Sequence, residues 1–497
     1  MKKILTIWAC MTAGVVMAQT RDAEGFITIS SADELAKIGT TGYVLNDKYR
    51  LTENINLSGI SWSPIGTTDE AHSFQGTFDG NGYSISNLHA TFEASNATYV
   101  GLFGRIGDNG IVKNVNLVGG ELKVTAEACP TGNIGSIAGV NHGDILNCTS
   151  NVRVTCYGTN ADVGGIAGEN GEANVNPGVI KNCTFTGKIE TLAQIPSTTY
   201  LGGIVGNNPT AGLIQDCKAK DVEHYYDVNG TTTYNAKLGI YGQNKGTVSD
   251  SYSVEGTTVK FVGRTLYKDD DWNTICLPFD VTIAGSILAG ATVKELDVTT
   301  KETSTPDVYK TRVYKNNDDA FYTLNLEFAD VAEIKAGKPY LIKWATGTHI
   351  DNPEFTGVDM NTYSESLVAV TSADGRVTFQ GLLSAKDIAA TGDNTMLFLG
   401  ASNTLYYPND AMTIGANRAY FQLNNGFTFG EPNAGVRSFN LNFGEEEITG
   451  VESVDDSQLS TFNSQLSEWY TLTGVKLEGK PTAPGIYICG GRRVVIK

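Results

Sequence analysis

The sequence is poor in histidine, in proline and in positive charge, and beyond its first residues it has no long apolar run. The five histidines, at 72, 89, 142, 224 and 349, include no pair at metal-ligand spacing. No HExxH occurs, which excludes the zinc-peptidase helix motif. GxSxG, Walker and dinucleotide fingerprints are also missing, and Gly80-Asn81-Gly82 is not followed by the Lys-Ser/Thr of a phosphate loop. Lys and Arg total 36 against 54 Asp and Glu, a formal net charge of −18. That balance argues against a nucleic acid or an anionic membrane as partner, since both need clustered cations. Nothing past the N-terminus reaches the ~18 apolar residues of a membrane span. No CxxC pair or Cys/His spacing points to structural zinc.

Glycine is plentiful: 56 residues, against 13 prolines. Much of it falls in a unit that recurs five times between Tyr99 and Ser253. Each copy opens on an apolar-glycine hook: 100–104, 135–139, 164–168, 202–206 and 238–242. A second signature follows a polar turn: Val112-Lys113-Asn114-Val115, Ile145-Leu146-Asn147-Cys148, Ile180-Lys181-Asn182-Cys183, Ile214-Gln215-Asp216-Cys217 and Val248-Ser249-Asp250-Ser251. The closing glycines 104, 139, 168, 206 and 242 lie 35, 29, 38 and 36 residues apart. Such a period means stacked units, none able to bury its apolar face alone. The apolar runs are too short for helices and suit strands, so each unit reads as one turn of a parallel β-helix. The column Asn114, Asn147, Asn182, Asp216, Asp250 is a bend position, because Asn tolerates left-handed angles and can hydrogen-bond along a stack. The next column accepts Val115, Cys148, Cys183, Cys217 and Ser251, which describes a small buried slot rather than a disulfide ladder.

Around the repeats, Lys2-Lys3, the apolar 4–16 and Val16-Met17-Ala18 form a secretory signal cleaved before Gln19, taking Cys10 with it. The remaining seven cysteines are an odd number, so at least one thiol stays unpaired. Ser31-Ala32-Asp33-Glu34 matches a helix capping box, and a short helix there would cover the end of the stack. After about Thr258 aromatic, alternating strands take over, as in 272–279, 335–344 and 418–423. They read as a β-sandwich-like domain. The acidic, Ser/Gln-rich stretch 445–468 reads as a linker, and 469–497 as a closing pair of strands.

The hooks, the Ile-x-Asn-Cys/Ser segments and the stretch Phe74 to Leu88 resemble the GLUG motif of bacterial exported and surface proteins, over roughly Phe26 to Ser253. Ser136 in place of glycine, and the single glycine of the fifth copy, depart from it. The resemblance implies an adhesin-like role and brings no catalytic residues. The pattern Tyr470-x-Leu472-x-Gly474, Pro484-Gly485-Ile486-Tyr487 and Val494-Val495-x-Lys497 is similar to the sorting tail of Bacteroidetes type IX secretion substrates, which implies export by that route.

The expectation is therefore an all-β chain: signal peptide 1–18, a right-handed parallel β-helix with N-terminal cap 19–258, a β-sandwich-like domain 259–444, an acidic linker 445–468 and a C-terminal β-hairpin tail 469–497. No catalytic, cofactor-binding or metal residue is assigned. Asp144, Glu169 and Glu172 fall in variable turns that would stack, but no basic partner recurs beside them. Asp269-Asp270-Asp271 and Asn316-Asn317-Asp318-Asp319 leave room for calcium through clustered oxygens. The expected function is non-catalytic binding of polysaccharide or a host surface ligand by a secreted or outer-membrane-surface protein. The alternatives are a β-helix polysaccharide lyase or glycoside hydrolase, and a structural stalk.

Overall fold

The computed structural model describes residues 20–450 apart from 68, 93–97, 126–131, 158–160, 174–176, 192–198, 229–230, 316–321, 390–393, 401–402, 409–410, 430–434 and 445–446, and the strands within 469–496. The signal segment 1–18 lies outside the described residues.

Among the described residues the first half is a parallel β-solenoid, built by in-register stacking of one position per coil. Tyr49, Phe78, Val112, Ile145, Ile180, Ile214 and Val248 pair in sequence along an eight-stranded sheet. All but Val248 are fully buried, while alternate residues such as Arg50, Lys113 and Lys181 face outward, as the period of two requires. No coil is stable without the apolar column of its neighbours.

The bend and slot columns lie where the sequence puts them. Asn114, Asn147, Asn182, Asp216 and Asp250 adopt φ of 55, 55, 53, 54 and 47°, the left-handed region that Asn and Asp enter most readily among residues with a Cβ. Their amides bond along the stack: Asn182 Nδ2 donates to Asn147 Oδ1 (2.9 Å), Asn147 Nδ2 to Asn114 Oδ1 (3.3 Å) and Asn114 Nδ2 to Asp79 Oδ1 (2.9 Å). Cys148, Cys183 and Cys217 are buried thiols, none in a disulfide.

The hook glycines are selected by space rather than by backbone angle. Read as turn formers, they would carry left-handed angles, yet none of the closing glycines has a positive φ. They provide clearance instead. The first four hooks each join a strand of one sheet (Thr98–Val100, Gly132–Ile134, Asp162–Gly164, Tyr200–Gly202) to a strand of a second sheet (Phe103–Ile106, Ala138–Asn141, Ala167–Asn170, Val205–Asn208). The two sheets lie backbone against backbone. A Cβ on Gly168 would sit 2.4 Å from Ile134 N, and one on Gly206 2.4 Å from Val163 N.

A second amide ladder, missed in the sequence, closes this corner. Asn141 Nδ2 donates to Asn170 Oδ1 (2.8 Å), Asn170 Nδ2 to Asn208 Oδ1 (2.9 Å) and Asn208 Nδ2 to Asn244 Oδ1 (2.7 Å). Its signal is Gly-x-Asn at every closing glycine from 139 onward. Asn141, Asn170 and Asn208 are fully buried, so Asn170→Ala strands the Asn208 Oδ1 acceptor and takes one of three acceptors from Asn141 Nδ2, which keeps Gly143 O and Val179 O. We expect a loss of about 3 kcal/mol, read from urea unfolding.

Both ends of the stack are closed. The capping box forms as a four-residue helix, Ala32–Leu35: Ser31 Oγ accepts from Glu34 N (3.3 Å), and Leu35 plugs the core. Glu34 reaches back to Ser30 N (2.7 Å) rather than to the cap residue. At the other end, Ser251–Glu255 pairs antiparallel with Thr258–Val262, which pairs in turn with Glu354–Phe355. This hairpin straddles the expected division at 258/259. Lys181 also bonds Asp387 (2.8 Å), and Asp216 accepts from Ala385 N (3.1 Å), bracing the second module against the coils.

That module has two main sheets around a shared aromatic core. Strands Asn273–Cys276, Pro339–Lys343, Thr292–Leu296, Tyr322–Asp330 and Gly435–Asn442 lie in one sheet, and Val377–Leu382, Arg418–Leu423 and Met396–Leu399 in the other. Phe379 stacks on Phe421 at 4.4 Å, and Phe328 meets Phe421 edge-on at 6.3 Å. Glu447–Gly450, which composition places in the linker, is a strand paired with Gly435–Asn442. A free edge strand recruits a partner through its backbone whatever the side chains. Residues 451–468 of the linker lie outside the described residues. The C-terminal segment is a four-stranded antiparallel sheet that contains the expected hairpin, Gly485–Cys489 with Arg492–Ile496.

Candidate functional site

The corner where the two hook sheets meet gathers the solenoid's polar chemistry. Parallel register aligns Tyr99, Asn133, Asp162 and Tyr200, one per coil. Each precedes a residue of the apolar core (Val100, Ile134 and Val163, with Leu201 packed beside them), so strand alternation turns the four side chains away from that core. Coils stack about 4.8 Å apart. Two half-buried tyrosine rings thus bracket an amide and a carboxyl. The neighbouring sheet contributes Arg105, Val140, Glu169, Asn207 and Gln243 in a second aligned column.

The two columns interlock. Asn207 Nδ2 donates to Asp162 Oδ2 (3.3 Å), Asn133 Nδ2 lies 3.5 Å from Glu169 Oε2, and the two carboxyls are close enough to shift each other's ionisation. Burial pushes Asp162 up to about 6 and Glu169, which also feels Asp162 and Glu172, up to about 7. Two carboxyls that close hold a proton between them near neutrality. The surface then presents amides, a carboxyl that donates and aromatic rings, the repertoire that recognises hydroxyl-rich ligands.

One coil further toward the N-terminus, Glu70, Asp108 and His142 hold ligand atoms within 4.8 Å of one another. They come from three coils, so no spacing in the sequence reveals them. Arg105 occupies this cluster: its Nε donates to Glu70 Oε2 (3.0 Å) and its Nη2 lies 3.0 Å from His142 Nδ1. Burial, and then the Arg105 charge, hold His142 below its usual range. Burial alone would raise Glu70, but bonds from Arg105 and Gln75 outweigh it and bring it below its usual range. The donor set does not fit a metal, because a fixed guanidinium already sits among the ligand atoms and repels a second cation.

Of the acidic residues singled out in the sequence, Glu169 joins this corner beside Asp162 and feels Glu172. Asp144 and Glu169 are in strands, not turns, and Glu172 is exposed. Asp269-Asp270-Asp271 is a turn in which Asp269 accepts from Asp271 N (3.2 Å) and Asp270 pairs with Lys343 (3.1 Å). Asn316 to Asp319 lies outside the described residues. The flank residues Tyr99, Asn133, Asp162 and Tyr200 went unread in the sequence. Their signal is a constant offset: the last three sit six residues before closing glycines 139, 168 and 206, and Tyr99 five before 104.

No helix among the described residues is long and apolar enough to cross a membrane. Residues 159–190 match the family model of the GLUG motif. The chain is 33% identical over 150 residues to halomucin of Haloquadratum walsbyi, covering 28% of this chain and 2% of that protein. It is 39% identical over 97 residues to a protein of Evansella cellulosilytica named as a Gly-rich membrane protein, covering 20% and 10% respectively. It thus spans only a small part of either relative's length. A crystal structure from Bacteroides ovatus, of a protein provisionally named an immunoglobulin A1 protease, aligns with 50% of this chain and 81% of its own at 20% identity, with a TM-score of 0.34. The matched coil carries the same hook, bend and slot as the coils stacked on either side of it, so the unit that matches the GLUG motif repeats along the solenoid.

Proposed function

We propose that this is an exported surface protein whose solenoid flank binds polysaccharide without cleaving it. The observation that carries the reading is the aligned column Tyr99, Asn133, Asp162, Tyr200. Sugar rings offer an apolar face to tyrosine and hydroxyls to amides and carboxyls, and a repeating ligand suits a repeating surface. The names of the two relatives support a surface location. The carboxyl geometry favours binding over hydrolysis. Glycosidase carboxyls stand about 5 Å or about 6.5–9.5 Å apart across the scissile bond, whereas Asp162 and Glu169 lie beside each other on adjacent sheets, each engaged by an amide, Asn207 and Asn133.

A polysaccharide array probed with the full chain tests this. Binding is expected to at least one glycan, and the Tyr99→Ala/Tyr200→Ala variant should weaken it by about tenfold or more, the loss of two ring contacts. Absence of any binder, or binding indifferent to both tyrosines, contradicts the reading. Release of reducing ends or of unsaturated sugars from a bound glycan would establish the enzymatic alternative.

A further inference from the structure

The second module contains a cleft remote in sequence from the solenoid flank. It lies between the edge strand Arg312–Lys315, paired on one side with Tyr322–Asp330, and the turn joining Val370–Thr371 to Val377–Leu382. Its volume is about 570 Å³, within the ~300–1,000 Å³ of small-ligand sites. Two residues of the turn seal the strand edge. Asp374 Oδ2 accepts from Val313 N (3.1 Å), and Arg376 Nη1 donates to Val313 O (2.7 Å). The edge backbone is thereby satisfied, and the cleft is walled by side chains rather than by strand awaiting a partner.

Those walls combine rings and unspent donors. Tyr309 and Tyr314 are half-buried, with Lys301 Nζ 5.1 Å and Arg312 Cζ 4.9 Å from their ring centres. Arg312 uses Nη1 on Tyr309 O and on Glu302 (3.0 Å). Its Nη2, like that of Arg376, has no partner among the described residues. Arg312, Lys315 and Arg376 line the cleft together with Asp307 and Asp374, and Asp374 is already committed to Val313 N, Ser372 Oγ and Arg376 N. On a chain of net charge −18, the cleft offers guanidinium forks beside flat aromatic faces. A carboxylate suits the forks, which it can meet through two parallel bonds, and a pyranose ring suits the tyrosines.

We propose that this cleft is a second binding site, for a saccharide carrying a carboxylate. The saccharide class rests on the surface-binding reading above, whereas the carboxylate rests on the cleft alone. Calorimetric titration of the full chain with trigalacturonate and with neutral maltotriose tests it. Trigalacturonate should bind, more tightly than maltotriose and less tightly as salt rises. Arg312→Gln and Tyr314→Ala should each weaken it by about tenfold. Because Arg312 also holds Glu302 and Tyr309, its variant is compared by thermal melting. Tyr314→Ala, which removes no bond from the strand edge, serves as the second test. Failure of trigalacturonate to bind, equal affinity for maltotriose, or indifference to both substitutions in variants that melt like the parent overturns the proposal. Loss of trigalacturonate binding in Tyr99→Ala/Tyr200→Ala would move the ligand to the solenoid, overturning the cleft site while leaving the surface-binding reading intact.

Discussion

Gly168→Val is expected to cost more than about 3 kcal/mol and to remove cooperative unfolding of the surrounding coils, whereas Gly239→Ala in the fifth hook should change stability by less than about 0.5 kcal/mol. Both are hook glycines with ordinary backbone angles, so conformational freedom does not separate them. Space does. A Cβ at 168 meets Ile134 N at 2.4 Å and the backbone of Asn133 and Asp162 at 2.7 Å, and backbone of two sheets cannot yield without parting them. A Cβ at 239 meets only the end of Glu255, at 3.7 Å. Because solenoid coils are stabilised by their neighbours, separating the sheets at 168 should also loosen the coils of Gly139 and Gly206. Urea unfolding and amide exchange on the two variants check this. Equal effects at the two positions would show that the hook glycines serve as turns after all.

The second large effect is one of pH. Asp162 and Glu169 are raised in the native state to about 6 and about 7, so between pH 4 and 7 the folded chain holds more protons than the unfolded one. Stability from this pair is complete below the unfolded carboxyl pKa near 4 and is lost as pH climbs through 7. At about 1.4 kcal/mol per pKa unit, discounted for partial exposure, the loss is about 2 kcal/mol. Glu169→Gln keeps a donor toward Asp162 and removes the charge. The variant should match the parent at pH 4 and exceed its stability by about 2 kcal/mol at pH 8, in thermal melts of both proteins. Parallel pH profiles would mean that the two carboxyls do not share a proton.

These two sites also show what could be read from the chain alone. The coil column from Tyr49 to Val248, the bend from Asn114 to Asp250 and the Val/Cys/Ser slot were legible, because each needs one residue type at a fixed place in every repeat. Glycine was legible as a motif but not in its cause, since steric clearance and left-handed geometry select the same residue. The flank column was illegible for another reason. Tyr, Asn, Asp and Tyr share no chemistry, and variable loops separate them by 34, 29 and 38 residues. Only backbone register makes them neighbours. The Glu70, Asp108, His142 and Arg105 cluster escaped notice in the same way. In the second module the alternating aromatics announced a sandwich, but strand Glu447–Gly450 was hidden under a linker composition because its pairing comes from the edge of Gly435–Asn442.

The hook flank is the solenoid face proposed to bind ligand. The most direct test is amide hydrogen exchange on the full chain, with and without a polysaccharide that it binds. Protection is predicted on strands Thr98–Val100, Gly132–Ile134, Asp162–Gly164 and Tyr200–Gly202, lost together with affinity in Tyr99→Ala/Tyr200→Ala. Protection confined to other faces, with these four strands unchanged, would contradict it.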